Sequence, residues 1–525
     1  MRTEQVSKLR FCSLSFEFLP KMKAVYSDSA AVESEAKARF HFPECVMMEN
    51  ATAALQKAVG FALKTQNRAA RKSVLILCGG GNNGADGLAL ARRLCGKTEC
   101  KAVLLKEPKT QEAQIQLKMA KSVGVLFENL ENLDFSAQKP PAVVVDCIYG
   151  TGFHGKLSAE EIELIRKANA LPSFKIACDI PSGIDKCGKI ETVFDGKPLA
   201  FRADRTVTRG CLKTALFTDS AKNFTGKIKL ASLGVSSSKF GTCGKPDAFL
   251  LGKADLVLPI RKKADTHKGD FGHAAIILGE KAGAGIIAGT AALRFGAGLV
   301  TCVENENISD RFKMNPELMI APSLPEKTDS LLIGSGLGRN PEKTGELIEK
   351  TLFPYAETKN PSLVLDADIF YAPQFPSLLK KLDSNPNART IITPHPKEFF
   401  TILDSVNLLS SEGSNIGFSD VVKNRFEYAR LFGENFKNVV LVSKGAVNYI
   451  VHGKEIYIVS NGAPSLAKAG SGDVLAGLCL SLLAQGKSAT EAAKTAVLAH
   501  ATASSKIKNN FSLSPLGLIE FISQL

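Results

Sequence analysis

The stretch Gly470-Ser471-Gly472-Asp473 joins two glycines, a small hydroxyl residue and a carboxylate, and runs straight into the apolar segment Val474 to Leu483. Such a run after a glycine turn predicts a buried helix with bare backbone N–H groups at its start. Glycine lets the main chain approach a ligand closely, and the free amides together with the helix dipole favour an anion such as phosphate. A carboxylate at that end repels phosphate, yet it suits a base acting on a group that attacks phosphorus. Asp473 reads equally well as an N-terminal helix cap on a glycine-rich turn. The stretch alone leaves both readings open.

More chemistry stands at the exits of short apolar runs. Ser73 to Cys78 reads as a buried strand and leads through Gly79-Gly80-Gly81-Asn82-Asn83-Gly84-Ala85-Asp86-Gly87 into an expected helix, Leu88 to Leu94. Strand, glycine-rich turn and helix make a ligand-binding unit of open α/β sheets. The motif is not GxGxxG, and its asparagines and aspartate exceed the needs of a phosphate loop. The expected strands Ala142 to Asp146 and Lys175 to Asp179 each end on an aspartate. The first continues into Cys147-Ile148-Tyr149-Gly150-Thr151-Gly152-Phe153-His154-Gly155, the second into Ile180-Pro181-Ser182-Gly183-Ile184-Asp185. One aspartate at a strand end is commonly a turn former. Three polar clusters at three strand ends of one sheet point to a site, and the hard oxygens of Asn83 and Asp146 also suit a monovalent cation.

The second half repeats the arrangement. Expected strands at Ala274 to Leu278, Leu331 to Ile333, Leu363 to Leu365, Thr390 to Ile392 and Val439 to Ser443 exit into glycines, aspartates or a cation. The exits include Gly334-Ser335-Gly336-Leu337-Gly338, Asp366-Ala367-Asp368, Pro394-His395-Pro396 and Lys444-Gly445-Ala446. His395 sits in a rigid turn beside the expected site, which favours a ligand-facing role over an ordinary surface position. Gly283-Ala284-Gly285 opens a small-residue helix, Ile286 to Phe295, of the kind that packs closely or meets a ligand.

The elements that must position these groups belong to an α/β chain too long for one core, since 525 residues imply two to four domains. Residues 1–21 read as a flexible N-terminal extension, residues 22–233 as a Rossmann-like three-layer α/β/α domain opening on a helical stretch from Met22 to Leu63, residues 234–247 as a linker rich in Ser, Gly and Lys, and residues 248–525 as a second α/β domain. A net charge of +14 raises nucleic acid as a partner, but the lysines are scattered, Trp is absent, and no zinc-finger, basic-zipper or aromatic-basic motif is present. A positive field that draws in anionic small ligands fits as well. No apolar run reaches the roughly 18 residues of a membrane span. The 12 cysteines lack paired metal spacing and read as reduced thiols of a cytoplasmic protein. No nucleic-acid or membrane partner is expected, and a homo-oligomer is.

The runs GGGNNGADG, VVDCIYGTG and CDIPSGID, in that order, resemble the NAD(P)H-hydrate epimerase domain over about Met22 to Leu233, with Lys213 where that family carries a lysine near its ligand. The motifs HKGDFGH, GSGLG, LDAD, TPHPKE, SKGA and AGSGD resemble the ADP/ATP-dependent NAD(P)H-hydrate dehydratase domain, of ribokinase-like fold, over about Lys245 to Leu525. Lys468 and Ala469 depart from the Thr and Gly more usual in that family. The resemblance implies a substrate with water added across a double bond of the dihydronicotinamide ring. It implies phosphorylation of the resulting hydroxyl and loss of phosphate, with ADP or ATP as the donor and Mg2+ its companion; the fusion of both domains in one chain favours ADP.

On the same resemblance Asp473 is the base, and the amides of Gly470, Ser471 and Gly472 cradle the transferring phosphoryl group. Ala284, Gly336, Gly338 and His395 face the hydrate together with Asp473, while the turn Lys444, Gly445, Ala446, Val447, Asn448 meets the nucleotide. In the first domain Asp179 is the acid/base that interconverts the R and S hydrates. Asn82, Asn83, Gly84, Ala85 and Asp86, with Gly150, Thr151, Gly152, Phe153, His154, Gly155 and Lys156, hold the substrate, and Asn83, Asp146 and Ser182 surround potassium. A ribokinase-like kinase for a vitamin or sugar, fused to an unrelated Rossmann-like domain, shares the AGSGD chemistry. A first domain that only binds a nucleotide-like ligand or a protein is the non-enzymatic alternative for that half.

Overall fold

A computed structural model describes residues 22–65, 72–133, 135, 140–304, 315–409, 416–507, 509 and 511–525, so the expected extension at 1–21 lies outside the described residues. The first half is built on a seven-stranded, wholly parallel sheet. Its strands stand in the order Lys227–Ala231, Arg205–Arg209, Phe174–Cys178, Val143–Cys147, Ser73–Cys78, Glu99–Leu104, Leu126–Glu128. The inner strands Val143–Cys147 and Ser73–Cys78 are almost wholly apolar because helices cover both faces of such a sheet. The first strand in sequence, Ser73–Cys78, is central; the next two lie on one side and the rest on the other. The order therefore reverses between Ser73–Cys78 and Val143–Cys147, where open α/β sheets leave a crevice beyond the strand carboxyl ends.

The second half contains most of a twelve-stranded sheet and repeats the wiring. His273–Ile277 is followed by Leu299–Val303 and Met319–Ala321 on one side, then by Ser330–Ile333, Ser362–Leu365, Arg389–Ile392 and Val439–Ser443 on the other, all parallel. The antiparallel strands Asn448–His452 and Glu455–Val459 extend it. The helix Ser471–Ala484 lies across this sheet with every side chain from Val474 to Ala484 buried. A Cβ at Gly477 would meet the Ala288 carbonyl oxygen at 2.1 Å. This helix and Ala282–Arg294 thus touch backbone to backbone, which explains the small residues that both carry.

Three local expectations change. The stretch from Met22 to Leu63 is not helical throughout: Lys23–Tyr26 is a strand, followed by the helices Ser29–Phe40 and Glu44–Thr65. Val25 and Tyr26 are buried, and the strand pairs with Ala248–Leu250 and Leu212–Lys213, so long-range pairing overrides local helix preference. The helix expected from Leu88 starts at Asn82, so the polar cluster of the glycine motif occupies its first turns. A Cβ at Gly84 would lie 1.7 Å from the Gly79 carbonyl oxygen, and the absence of one allows the helix to begin that close to the strand. Third, the segment 234–247 is packed: Ser237–Phe240 forms a helical turn, and Phe240 and Cys243 are buried in one cluster with Tyr26 and Val32. Two short strands from the first half, Lys23–Tyr26 and Leu212–Lys213, form the edge of the larger sheet, joining the halves through backbone pairing.

Candidate functional site

At the crevice of the first sheet the expected residues converge. Asn83 donates from Nδ2 to the Tyr149 carbonyl oxygen at 2.8 Å, while its Oδ1 is buried without a partner. A Cβ on Gly150 would lie 3.3 Å from Asp179 Oδ2 and 3.5 Å from Asn83 Oδ1, so both unpartnered oxygens face the space glycine leaves. Asp179 follows its strand with φ of 69°, a left-handed conformation that a non-glycine residue holds at some cost. Lys213 Nζ donates to Asp179 Oδ1 at 2.7 Å and to the Thr208 hydroxyl at 3.0 Å. Burial pushes the Asp179 carboxyl up, but Lys213 and Arg209 outweigh that and hold it below the usual carboxylate range.

Asp86 takes the opposite course. It is fully buried and accepts from Arg209 Nη1 at 2.8 Å, yet burial together with the nearby Asp179 charge pushes it up to about 7. Two carboxyls whose environments drive their proton affinities apart give one site an ionised base and a group able to carry a proton at neutral pH. Arg209 and, 3.9 Å from it, Glu33 complete the cluster. Neither was expected: Arg209 carried no signal beyond its place before Gly210, and Glu33 lies on a plain Ala/Lys/Glu helix. Within Gly150 to Lys156 the roles separate. Phe153 is buried against Tyr149 at 4.8 Å, whereas Gly152, His154 and Lys156 are exposed. A cavity of about 440 Å3 opens beside the cluster, lined by Thr151, Ile180 and Lys213 from the first half and by Arg425, Phe426 and Tyr449 from the second.

Asp146 is also fully buried. It accepts from Ile148 N at 3.1 Å, Ser182 N at 2.8 Å and the Ser182 hydroxyl at 2.6 Å, and no Lys or Arg pairs with it among the described residues. Burial raises it to about 6. Among the described residues no group of three or more His, Cys, Asp or Glu could hold a metal. Tyr149 links Asn83 to Ser182 and Asp146: its carbonyl accepts from Asn83 Nδ2 at 2.8 Å, and its amide donates to the Ser182 hydroxyl at 2.9 Å, which in turn donates to Asp146.

In the second half Gly470 precedes the helix with φ of 88°, and no side chain caps it; Asp473 lies in the first turn and is not the cap. The Ser471 hydroxyl donates to the Leu466 carbonyl oxygen at 2.7 Å, and its own carbonyl meets His500 Nε2 at 2.9 Å, fixing the glycine turn from both sides. The Asp473 carboxyl is raised by burial and by the charge of Asp366, against the pull of the Ser335 hydroxyl and Lys444. Lys444 Nζ donates to Asp366 Oδ1 at 2.8 Å, and a Cβ on Gly472 would lie 3.4 Å from that same nitrogen. The turn Lys444 to Asn448 thus abuts the Gly470 to Asp473 turn.

Ala284 and Gly336 also adjoin, with a Gly336 Cβ 3.0 Å from the Ala284 Cβ, and the Gly338 amide donates to Asp368 Oδ2 at 3.1 Å. His395 caps the helix Pro396–Ser405: its Nδ1 accepts from Lys397 N and Glu398 N, its Nε2 lies 3.0 Å from Glu398 Oε1, and its ring is half exposed. Asp366 was visible in its motif without a role; its position between Lys444 and Thr393 Oγ1, at 2.7 Å, makes it the anchor of the lysine. Lys468 is exposed beside the turn.

Residues 274–524 match a family model described as NAD(P)H-hydrate dehydratase, and residues 44–215 one described as YjeF-related protein N-terminus. A Bacillus subtilis ADP/ATP-dependent NAD(P)H-hydrate dehydratase co-crystallized with ATP/Mg2+ aligns at 23% identity over 50% of this chain and 92% of that one, with a TM-score of 0.41. The bifunctional NAD(P)H-hydrate repair enzyme Nnr of Coxiella burnetii is 31% identical, covering 83% of this chain and 86% of that protein. That of Helicobacter pylori is 38% identical over 96% of this chain and its own full length. With both half-chain models matched in order and a relative aligned from end to end, the chain belongs to the bifunctional NAD(P)H-hydrate repair enzymes.

Proposed function

We propose that this chain restores hydrated NADH and NADPH in two steps, with residues 22–233 interconverting the R and S hydrates and residues 248–525 dehydrating the S hydrate at the expense of ADP or ATP. The observation that carries the second step is the adjacency of Asp473, Lys444 and the Gly470 to Gly472 amides. Hydroxide is a poor leaving group, so the ring hydroxyl is first made into a phosphate ester. Asp473 takes the hydroxyl proton, and burial together with the Asp366 charge makes it a stronger base than an ordinary carboxylate. The turn amides and Lys444 hold the charge of the transferring phosphoryl group. The lone pair of the ring nitrogen then expels phosphate, which breaks the C–O bond and leaves an iminium, and loss of a proton from the neighbouring ring carbon to the departing phosphate or to water re-forms the double bond. Mg2+ would enter with the nucleotide phosphates, its usual mode of binding. Ala284, Gly336, Gly338 and His395 are proposed to face the hydrate.

For the first step, Asp179 is proposed to move protons as the ring carbon bearing oxygen and nitrogen opens and recloses. Asn82 to Asp86 and Gly150 to Lys156 surround the substrate, and Asp86 is paired with the same Arg209 guanidinium that lies beside Asp179. Potassium between Asn83, Asp146 and Ser182 would supply positive charge to the buried Asp146 carboxylate.

Recovery of absorbance at 340 nm tests the reading: wild-type protein given NADH hydrate and ADP or ATP should regain it, and no recovery with either nucleotide refutes the dehydratase assignment. Replacing K+ by Li+ should slow R-to-S exchange about tenfold or more, while dehydration of pure S hydrate stays within twofold, with the exchange followed by chromatography. Asp146→Asn should abolish the difference between the two salts. Equal exchange rates in both salts for the wild type would remove potassium from the site.

A further inference from the structure

The turn proposed to meet the nucleotide is held from behind by the other half of the chain. Asp219 opens the helix Asp219–Thr225, a few residues after Lys213 of the first site. Its Oδ1 accepts from the Val447 amide at 2.7 Å, and its Oδ2 accepts from Arg425 Nε at 3.1 Å and Nη2 at 2.8 Å. Arg425 is buried, and it carries the contact onward: Nη1 donates to the Ser443 carbonyl at 2.8 Å and Ser443 hydroxyl at 2.9 Å, and Nη2 donates to the Val447 carbonyl. The guanidinium also lies 4.4 Å from the centre of the Tyr449 ring, whose hydroxyl donates to the Phe217 carbonyl at 2.9 Å. One turn of helix further on, Lys222 donates to the carbonyls of Ala446 and Gly462, the latter at 3.1 Å.

On its far side the same turn presents Lys444 to Asp366 and to Gly472. Gly445 has room for no side chain, since a Cβ there would meet Arg425 Nη2 at 2.4 Å. A backbone turn of this length is ordinarily mobile, and ordering it at the moment of binding weakens affinity. Three of its backbone groups, Val447 N, Val447 O and Ala446 O, together with the Ser443 carbonyl that leads into it, are instead fixed by two charged side chains of the first half and by the arginine that one of them neutralises.

We infer that Asp219, with Lys222 in support, is a positioning residue for nucleotide use by the second half, so that the site on residues 248–525 is preorganised by the first half of the chain. This rests on the proposed role of the turn Lys444 to Asn448. It differs from a simple domain contact because the bonded atoms are those of the turn itself. In Asp219→Asn the amide oxygen still accepts from Val447, while the NH2 group opposes Arg425 and leaves its charge buried without a counter-ion.

The test is steady-state dehydration of S hydrate at varied ADP and ATP, with nucleotide binding measured by calorimetry on the full chain. Asp219→Asn is expected to raise the nucleotide KM and Kd about tenfold, as for loss of a charge-assisted hydrogen bond, with kcat within about twofold. Lys222→Met, which removes the bonds to Ala446 and Gly462 without leaving a buried charge, should raise KM in the same direction by a smaller factor. A nucleotide KM within twofold of wild type in both variants overturns the inference, as does a parallel fall of kcat and melting temperature with KM unchanged. Should wild type bind nucleotide without recovering 340 nm absorbance, the dehydratase reading fails, and the shift in Kd still decides the role of Asp219.

Discussion

Asp473→Asn is expected to lower repair of both hydrates by about 10²- to 10⁴-fold, the usual contribution of a positioned general base, with nucleotide Kd within about threefold of wild type. Both epimers are affected because dehydration is the exit for each. Binding survives because Asp473 caps no amide of the glycine turn, whose geometry rests on Ser471, Leu466 and His500. Removing a carboxylate from beside Asp366 also relieves like-charge repulsion, so the variant should fold at least as stably as wild type. Single-turnover absorbance at 340 nm and calorimetry with ADP check the two halves of the statement. The pH profile gives a second check. Since burial and Asp366 raise the Asp473 proton affinity, activity on S hydrate should rise with pH through an acid limb lying above the ordinary carboxylate range. Full activity in the variant would exclude Asp473 from the chemistry.

Asp179→Asn should slow R-to-S exchange by a similar factor, about 10²- to 10⁴-fold, and leave dehydration of pure S hydrate untouched. Asparagine is preferred to alanine because either change takes the counter-ion from the buried Lys213 ammonium, but asparagine keeps an acceptor for it: the amide oxygen, Thr208 and two backbone carbonyls still accept from it. Supplying R hydrate alone separates the steps: the variant should consume it only as fast as it epimerises without catalysis, while S hydrate is repaired at the wild-type rate. Equal rates on both epimers would contradict the role of Asp179.

The elements around the sites were legible for different reasons. The strands Ser73–Cys78 and Val439–Ser443 appear where the apolar runs place them, because a strand buried on both faces needs apolar residues throughout. Lys23–Tyr26 is hidden in the sequence because four residues flanked by helix-forming sequence carry little signal, and its partners lie about two hundred residues away. The motif Asn82 to Asp86 has the composition of a turn, yet it begins a helix. Glycine at 84 looks like a helix breaker until the closeness of the Gly79 carbonyl oxygen shows what it permits. His395 drew attention as a ligand-facing group, and its place in the fold is first that of a helix cap.

Sequence alone determined the α/β class, the two-part organisation, and the exits at which Asp179 and Asp473 stand, because apolar strands and glycine turns are local features of composition and spacing. Tertiary structure decided which charges surround those aspartates. Arg209, Glu33 and Lys213 reach Asp179 and Asp86 from separate strands and a helix, and Asp219 reaches the turn at Val447 across the junction of the halves. Proton affinity and loop order depend on burial and on charges a few ångströms away in space, and neither is written in the spacing of residues along the chain.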